Sequence, residues 1–200
     1  MLRTVTILCM AMTSSILAAG QMQPTPPNPV HDSAKSPEGD CGLVYGTGHS
    51  FWVCAPAGWH LDNEAMAASG IHAVFYPSNS SFNSAMANGT VMYANTMPRS
   101  QSDGGSLAEA MKKDAQAVAK QYPETAIKAL PNLATKSEAA SVQQFFRANN
   151  YEAVAYVESP QVIVLLVISS TTQAGFDKDY PAFKELVNSY SYFTDSVKVR

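Results

Sequence analysis

Apolar and polar positions alternate in short runs along most of the chain, and the period changes to that of a helix only twice. "GLVYG" (42–46) and "SFWVCAP" (50–56) read as strands on either side of Thr47-Gly48-His49, a hairpin turn. "IHAVFYP" (71–77) and "GTVMYANTMP" (89–98) read as two more strands. Each ends at a proline, which lacks the N–H that a central ladder requires. In "SLAEAMKKDAQAVAKQYP" (106–123), Leu107, Met111, Ala115, Val118 and Tyr122 recur at steps of four, four, three and four, one stripe on a helix. Ser106 with Glu109 makes a capping box, Gly104-Gly105 precedes it, and Pro123 ends the helix. Lys112, Lys113, Asp114 and Lys120 are expected on or near its solvated face.

Strands resume with "AIKALPNLAT", "AASVQQFFRANN", "YEAVAYVES" and "QVIVLLVISS", with Asn149-Asn150 and Ser159-Pro160 as turn signals between the last three. The apolar run Val162 to Ile168 is far short of the roughly 20 residues of a membrane span, so it reads as a central strand covered on both faces. "DKDYPAFKELVNSYSYF" closes the pattern as a helix. Phe183, Leu186, Val187 and Tyr190 face inward, Asp177 or Asp179 is the cap, and Pro181 falls in the first turn. Strands joined by short turns imply a mainly antiparallel sheet. With helices flanking it, the expected class is α+β, an α/β/α sandwich.

Composition changes this picture mainly at the N-terminus. The 200 residues suffice for one domain, and a net charge of -3 without any basic run gives no footprint for nucleic acid. Only 14% of residues are charged, so Ser, Thr, Asn and Gln must supply the polar surface, as suits a secreted or envelope protein. Met1-Leu2-Arg3, the apolar stretch Thr4 to Leu17 and the small residues Ala18-Ala19-Gly20 read as a signal peptide (1–20) cleaved before Gln21. The alternative is a membrane anchor, for which the apolar core is short and rich in Thr and Ser. Cys9 would leave with the signal. Residues 21–40, with five prolines and only Met22 and Val30 clearly apolar, read as a tether too poor in apolar surface to offset the entropy of ordering. A single domain is expected over 41–193, with "TDSVKVR" (194–200) as a loose tail.

Cys41 and Cys54 remain in the mature chain. An even count in an exported protein favours a disulfide, worth about 3 kcal/mol for a loop of this size in the chain-entropy model. The hairpin would bring the two cysteines to comparable heights on paired strands. Two free thiols, or a thiol nucleophile served by His60 or His72, are the alternatives.

Catalytic motifs are missing. Gly46-Thr47-Gly48-His49-Ser50 does not have the spacing of a nucleophile elbow, and neither a phosphate loop nor a dinucleotide fingerprint occurs. The four histidines, 31, 49, 60 and 72, show no metal-ligand spacing, although His49, His60 and Asp62 could meet in space. Asn79-Ser80-Ser81 and Asn88-Gly89-Thr90 match the glycosylation pattern.

The strand-then-turn "FWVCAPAGW" (51–59), the helix after Ser106, the strand pair "YEAVAYVES" and "QVIVLLVISS", and the closing "FDKDYPAFKELVNSYSYF" (176–193) together resemble the PsbP-like fold family. That resemblance covers about residues 41 to 193. It implies a curved antiparallel sheet between helices. The family includes an extrinsic subunit of photosystem II and a nuclear Ran-binding factor. The Cys41/Cys54 pair departs from the family's pattern. In such a fold Trp52 and Trp59 belong to a structural corner, with Trp59 packing back over the sheet edge. The alternative is that they line a ligand groove.

Two classes of function follow. The first is an exported, non-catalytic interaction or assembly module of the cell envelope, with a protein partner, no cofactor, and no membrane span once the signal is removed. The second is a small-ligand binder or hydrolase with a groove near Trp52, Trp59, His60 and Tyr93.

Overall fold

A computed structural model describes residues 40–99 and 105–197. The expected signal peptide, the tether up to residue 39, Gly104 and the end of the tail lie outside the described residues. The strands are β1 (Cys41–Gly46), β2 (His49–Cys54), β3 (Trp59–Asp62), β4 (Ala73–Pro77), β5 (Thr90–Pro98), β6 (Ala126–Ala134), β7 (Ala139–Arg147), β8 (Asn150–Glu158), β9 (Val162–Ser170) and β10 (Ser191–Thr194). The helices are α1 (Phe82–Asn88), α2 (Leu107–Gln121) and α3 (Gln173–Ser189), with one 3-10 turn at Ala67–Ser69.

Seven strands form one antiparallel sheet in the order β3-β4-β5-β9-β8-β7-β6. The strand Val162–Ser170 lies in the middle, between β5 and β8, as its unbroken apolar run predicts. Its side chains separate by parity. Val162, Val164, Leu166 and Ile168 enter a core with Phe176, Phe183, Leu186 and Val187 of α3. Ile163, Leu165 and Val167 enter a second core with Ala110 of α2, Phe145, Val154 and Tyr156. Period-two alternation between two buried faces explains how seven apolar residues make one strand. The fold is α+β, with a mainly antiparallel sheet flanked by helices.

A second sheet of three strands, β1-β2-β10, was not expected. Phe51 and Val53 of β2, both fully buried, tie it to the core on the α3 side. The "SYF" that sequence placed at the end of the last helix is instead β10, which pairs with β2. That helix begins earlier than expected. Thr172 is its cap, accepting from Gly175 N–H at 3.0 Å, so Asp177 and Asp179 do not cap it and Pro181 lies inside it. Gly175 lies in the first turn of α3, close against the end of β9. A β-carbon there would lie 2.6 Å from Ser170 Oγ, where α3 leaves β9.

Two further expectations change. Asp114 is buried, not solvated, and accepts a hydrogen bond from the Tyr156 hydroxyl, which fastens α2 to β8. The helix α1 was missed because it is short and buries only Ala85, leaving no apolar stripe to read. Ser106 caps α2 as expected, its hydroxyl accepting from Glu109 N–H at 3.2 Å.

Because Leu166 is fully buried at the sheet's centre, Leu166→Ala is expected to cost about 2–5 kcal/mol of unfolding free energy, read by urea denaturation. A loss below about 1 kcal/mol would show that this face is not packed as described.

Candidate functional site

The small sheet presents the feature least explained by packing. Its hairpin pairs Cys41 with Cys54, Leu43 with Trp52, Tyr45 with Ser50 and Gly46 with His49 around the two-residue turn Thr47–Gly48. Gly48 has φ 76°, the left-handed backbone that a tight hairpin turn requires. Residues opposite each other across two strands share a face. Phe51 and Val53 therefore fix the inner face, and Leu43, Tyr45 and Trp52 point outward. Tyr45 is 62% exposed, Trp52 42% and Leu43 36%. On the neighbouring strand Phe193 is 60% exposed, at a register shift between Tyr192 and Thr194. Two large aromatic rings and a leucine thus share one exposed sheet face, with Phe193 beside it on β10.

This face is braced at one end. Cys41 and Cys54, directly opposite in register, form a disulfide (Sγ–Sγ 2.04 Å). The Ser189 hydroxyl accepts from Cys54 N–H at 2.9 Å and donates to Leu186 C=O at 2.7 Å, locking the hairpin to the end of α3. At the other end the tail crosses the turn, with Gly48 N–H donating to Val197 C=O at 3.0 Å.

The structure disperses the groove residues suggested by sequence. Trp52 stands on the outer face of β2. Trp59 opens β3 opposite Pro77 and packs, partly buried, against the α3-side core, as a corner residue should. His60 is exposed, edge-on to Tyr76 at 5.4 Å, with Nδ1 3.4 Å from Asp40 Oδ2. Tyr93 packs on the opposite side of the large sheet, against the α2-side core. It lines a cleft of about 640 Å³ with Tyr122, Arg147, Glu152, Ser169 and Thr171. The Arg147 guanidinium there lies 3.8 Å from the centre of the Tyr122 ring. Trp52, Trp59 and His60 do not line that cleft.

Among the described residues no three His, Cys, Asp or Glu side chains group as metal ligands. Asp62 is occupied otherwise, accepting from Tyr76 OH at 3.0 Å and from the N–H groups of Glu64 and Ala65. Burial pushes its carboxyl up, but these hydrogen bonds and the nearby His60 outweigh it and hold the group below its ordinary value.

A second cleft, of about 610 Å³, runs along β1. It is lined by Leu43 to Thr47 and His49 on one side, and by Asn63, His72 and Ala94 to Thr96 across from them. His49 Nδ1 is buried there without a hydrogen-bond partner. Burial lowers the imidazole's pKa, against an opposing pull from the Thr47 backbone.

Sequence singled out Trp52 but neither Tyr45 nor Phe193. The signal for Tyr45 was present: Gly42, Val44 and Gly46 share one parity, Leu43 and Tyr45 the other. What it did not reveal was which parity met solvent.

Comparison with solved structures finds 17 matching chains, two of which follow. One is the solution structure of cyanobacterial PsbP (CyanoP) from Synechocystis sp. PCC 6803, with 10% identity and a TM-score of 0.45, covering 84% of this chain and 98% of that one. The other is the Ran-binding protein Mog1p of Saccharomyces cerevisiae, with 13% identity and a TM-score of 0.46, covering 76% and 93%. No family model and no curated protein matches this chain.

Histidine at position 49 gives a testable pH dependence. Its folded pKa is lowered, so below the ordinary value of about 6.5 the unfolded chain binds more protons and stability falls. Above that value the group contributes no slope. Urea titrations at pH 7.5 and 5.5 should show a loss for the native chain that is smaller in His49→Gln. Equal losses in both would remove His49 as the cause.

Proposed function

We propose that this chain is a non-catalytic protein-docking module of the cell envelope, and that the outer face of the small sheet is where its partner binds. The observation that carries this is the exposure of Tyr45, Trp52 and Leu43 on one braced sheet face, with Phe193 beside them. Soluble proteins scatter exposed apolar residues singly, and a contiguous aromatic patch marks an interaction surface. Tyrosine and tryptophan are the residue types that dominate binding energy in protein interfaces. The bracing matters equally, because a face held by a disulfide and by Ser189 loses little entropy when it docks.

Export is part of the same reading. A disulfide on an edge hairpin persists in an oxidising compartment. No helix among the described residues is long and apolar enough to cross a membrane.

A photo-cross-linking amino acid in place of Trp52, expressed in the native host, is expected to give one discrete adduct. The same probe at Ala117, exposed on α2, should give none. Trp52→Ala should weaken the captured complex at least about tenfold, the loss of a hot-spot aromatic. Adducts of equal yield from both positions, or none from Trp52, would rule out this face.

A further inference from the structure

Among the described residues, the first strand of the small sheet has one paired edge and one open edge. Three observations fix which backbone groups lie on which. Gly46 and His49 close a two-residue hairpin turn, so they exchange backbone hydrogen bonds, and so do Val44 with Phe51 and Gly42 with Val53 at alternate steps. Cys54 N–H turns away from β1 to Ser189 Oγ at 2.9 Å. Ala55 N–H, one residue on, turns back and donates to Asp40 C=O at 2.7 Å. The N–H and C=O groups of Cys41, Leu43 and Tyr45 therefore point away from β2.

Beyond them lies the cleft of about 610 Å³ lined by Leu43 to Thr47. Its far wall includes another unpaired strand segment. The pairing of β4 with β5 stops at Ala73 opposite Ala94, so among the described residues Asn95 to Pro98 pair with β9 alone. Thr96 N–H there donates to its neighbour's side chain, Asn95 Oδ1, at 2.7 Å. The edge of β1 also lacks what usually protects one. "CGLVYG" has neither charge nor proline, whereas β6, an edge of the large sheet, carries Pro131 within a register shift.

We infer that this cleft binds an extended, uncharged peptide segment of the partner, which adds as a strand to the free edge of β1. This deepens the docking reading above and rests on it. Electrostatics selects the occupant. The lining holds two amides, the hydroxyls of Tyr45, Thr47 and Thr96, and two imidazoles but no carboxylate, ammonium or guanidinium, so a charged side chain entering it would lose hydration without gaining a partner. Asn63, Asn95 and His72 face the incoming strand with groups that donate to or accept from a peptide backbone. At about 3.3 Å per residue, four extended residues match the stretch Leu43 to Gly46. A cleft of this volume admits one strand and not the three-stranded sheet of a second copy. Main-chain bonds to Leu43 and Tyr45 would give affinity, and small side chains at alternate positions would fit beneath.

The test screens acetylated, amidated hexapeptides against the full mature chain. One library is uncharged, and its counterpart carries Lys or Glu at alternate positions. Binding is read by amide chemical shifts. Uncharged peptides are expected to bind, shifting Leu43, Tyr45 and Asn95, while charged ones do not. Leu43→Pro removes an outward N–H without breaking a bond to β2 and should weaken binding at least tenfold. Tyr45→Lys, which leaves the backbone intact, guards against a folding defect and should do the same. Ala117→Ser, on the exposed side of α2 and outside the cleft, should leave peptide binding unchanged. If no uncharged hexapeptide binds at millimolar concentration, or binding ignores both edge variants, strand addition is wrong. If the cross-linked adduct from position 52 survives that result, the docking face stands without it. Should Leu43→Pro instead turn a dimer into a monomer in sedimentation, the edge pairs with a second copy and the peptide occupant is refuted.

Discussion

The burial of β9 on both faces is the constraint on which the rest of the structure depends. One strand with two apolar parities obliges the fold to supply two covers. The α2 cover is light, anchored by Ala110 and the Tyr156–Asp114 hydrogen bond. The α3 cover is heavier and extends past the helix to the small sheet, through Phe51 and Val53. The small sheet therefore packs on the core through its inner face, with Ser189 tying its end to α3. Leu43, Tyr45 and Trp52 on its outer face lie outside both cores.

This division separates stability from function along single strands. In β2 the residues Phe51 and Val53 serve the core while Trp52 between them faces water. In β1 the backbone does the same, with Val44 bonded to β2 and Leu43 and Tyr45 directed to an open cleft. The disulfide belongs to both roles. It fixes the hairpin's register at Cys41 and Cys54, and with it which parity faces out.

Much of this was legible in the sequence where period and composition agree. The run Val162 to Ile168 declared a central strand, and the stripe from Leu107 to Tyr122 declared a helix. Sequence failed where tertiary contacts override local signals. Ser191 to Phe193 continue the apolar pattern of the last helix, yet they leave it to pair with β2 as β10. Asp114 looks solvated, yet it is buried to meet Tyr156. The candidate groove failed for a related reason. Trp52, Trp59, His60 and Tyr93 fall on different faces of two sheets, and a strand's parity is fixed only once its neighbours are known. The open edge of β1 could not be read at all without the register of β2.

Residue-resolved amide hydrogen exchange on the free chain tests the central claim most directly, because it asks whether the hairpin is built with an unoccupied edge. The account predicts that Val44, bonded to β2, exchanges at least about a hundredfold more slowly than Leu43 and Tyr45 on either side of it. Uniform protection along Leu43, Val44 and Tyr45 would mean that the edge is already covered, and would contradict the account.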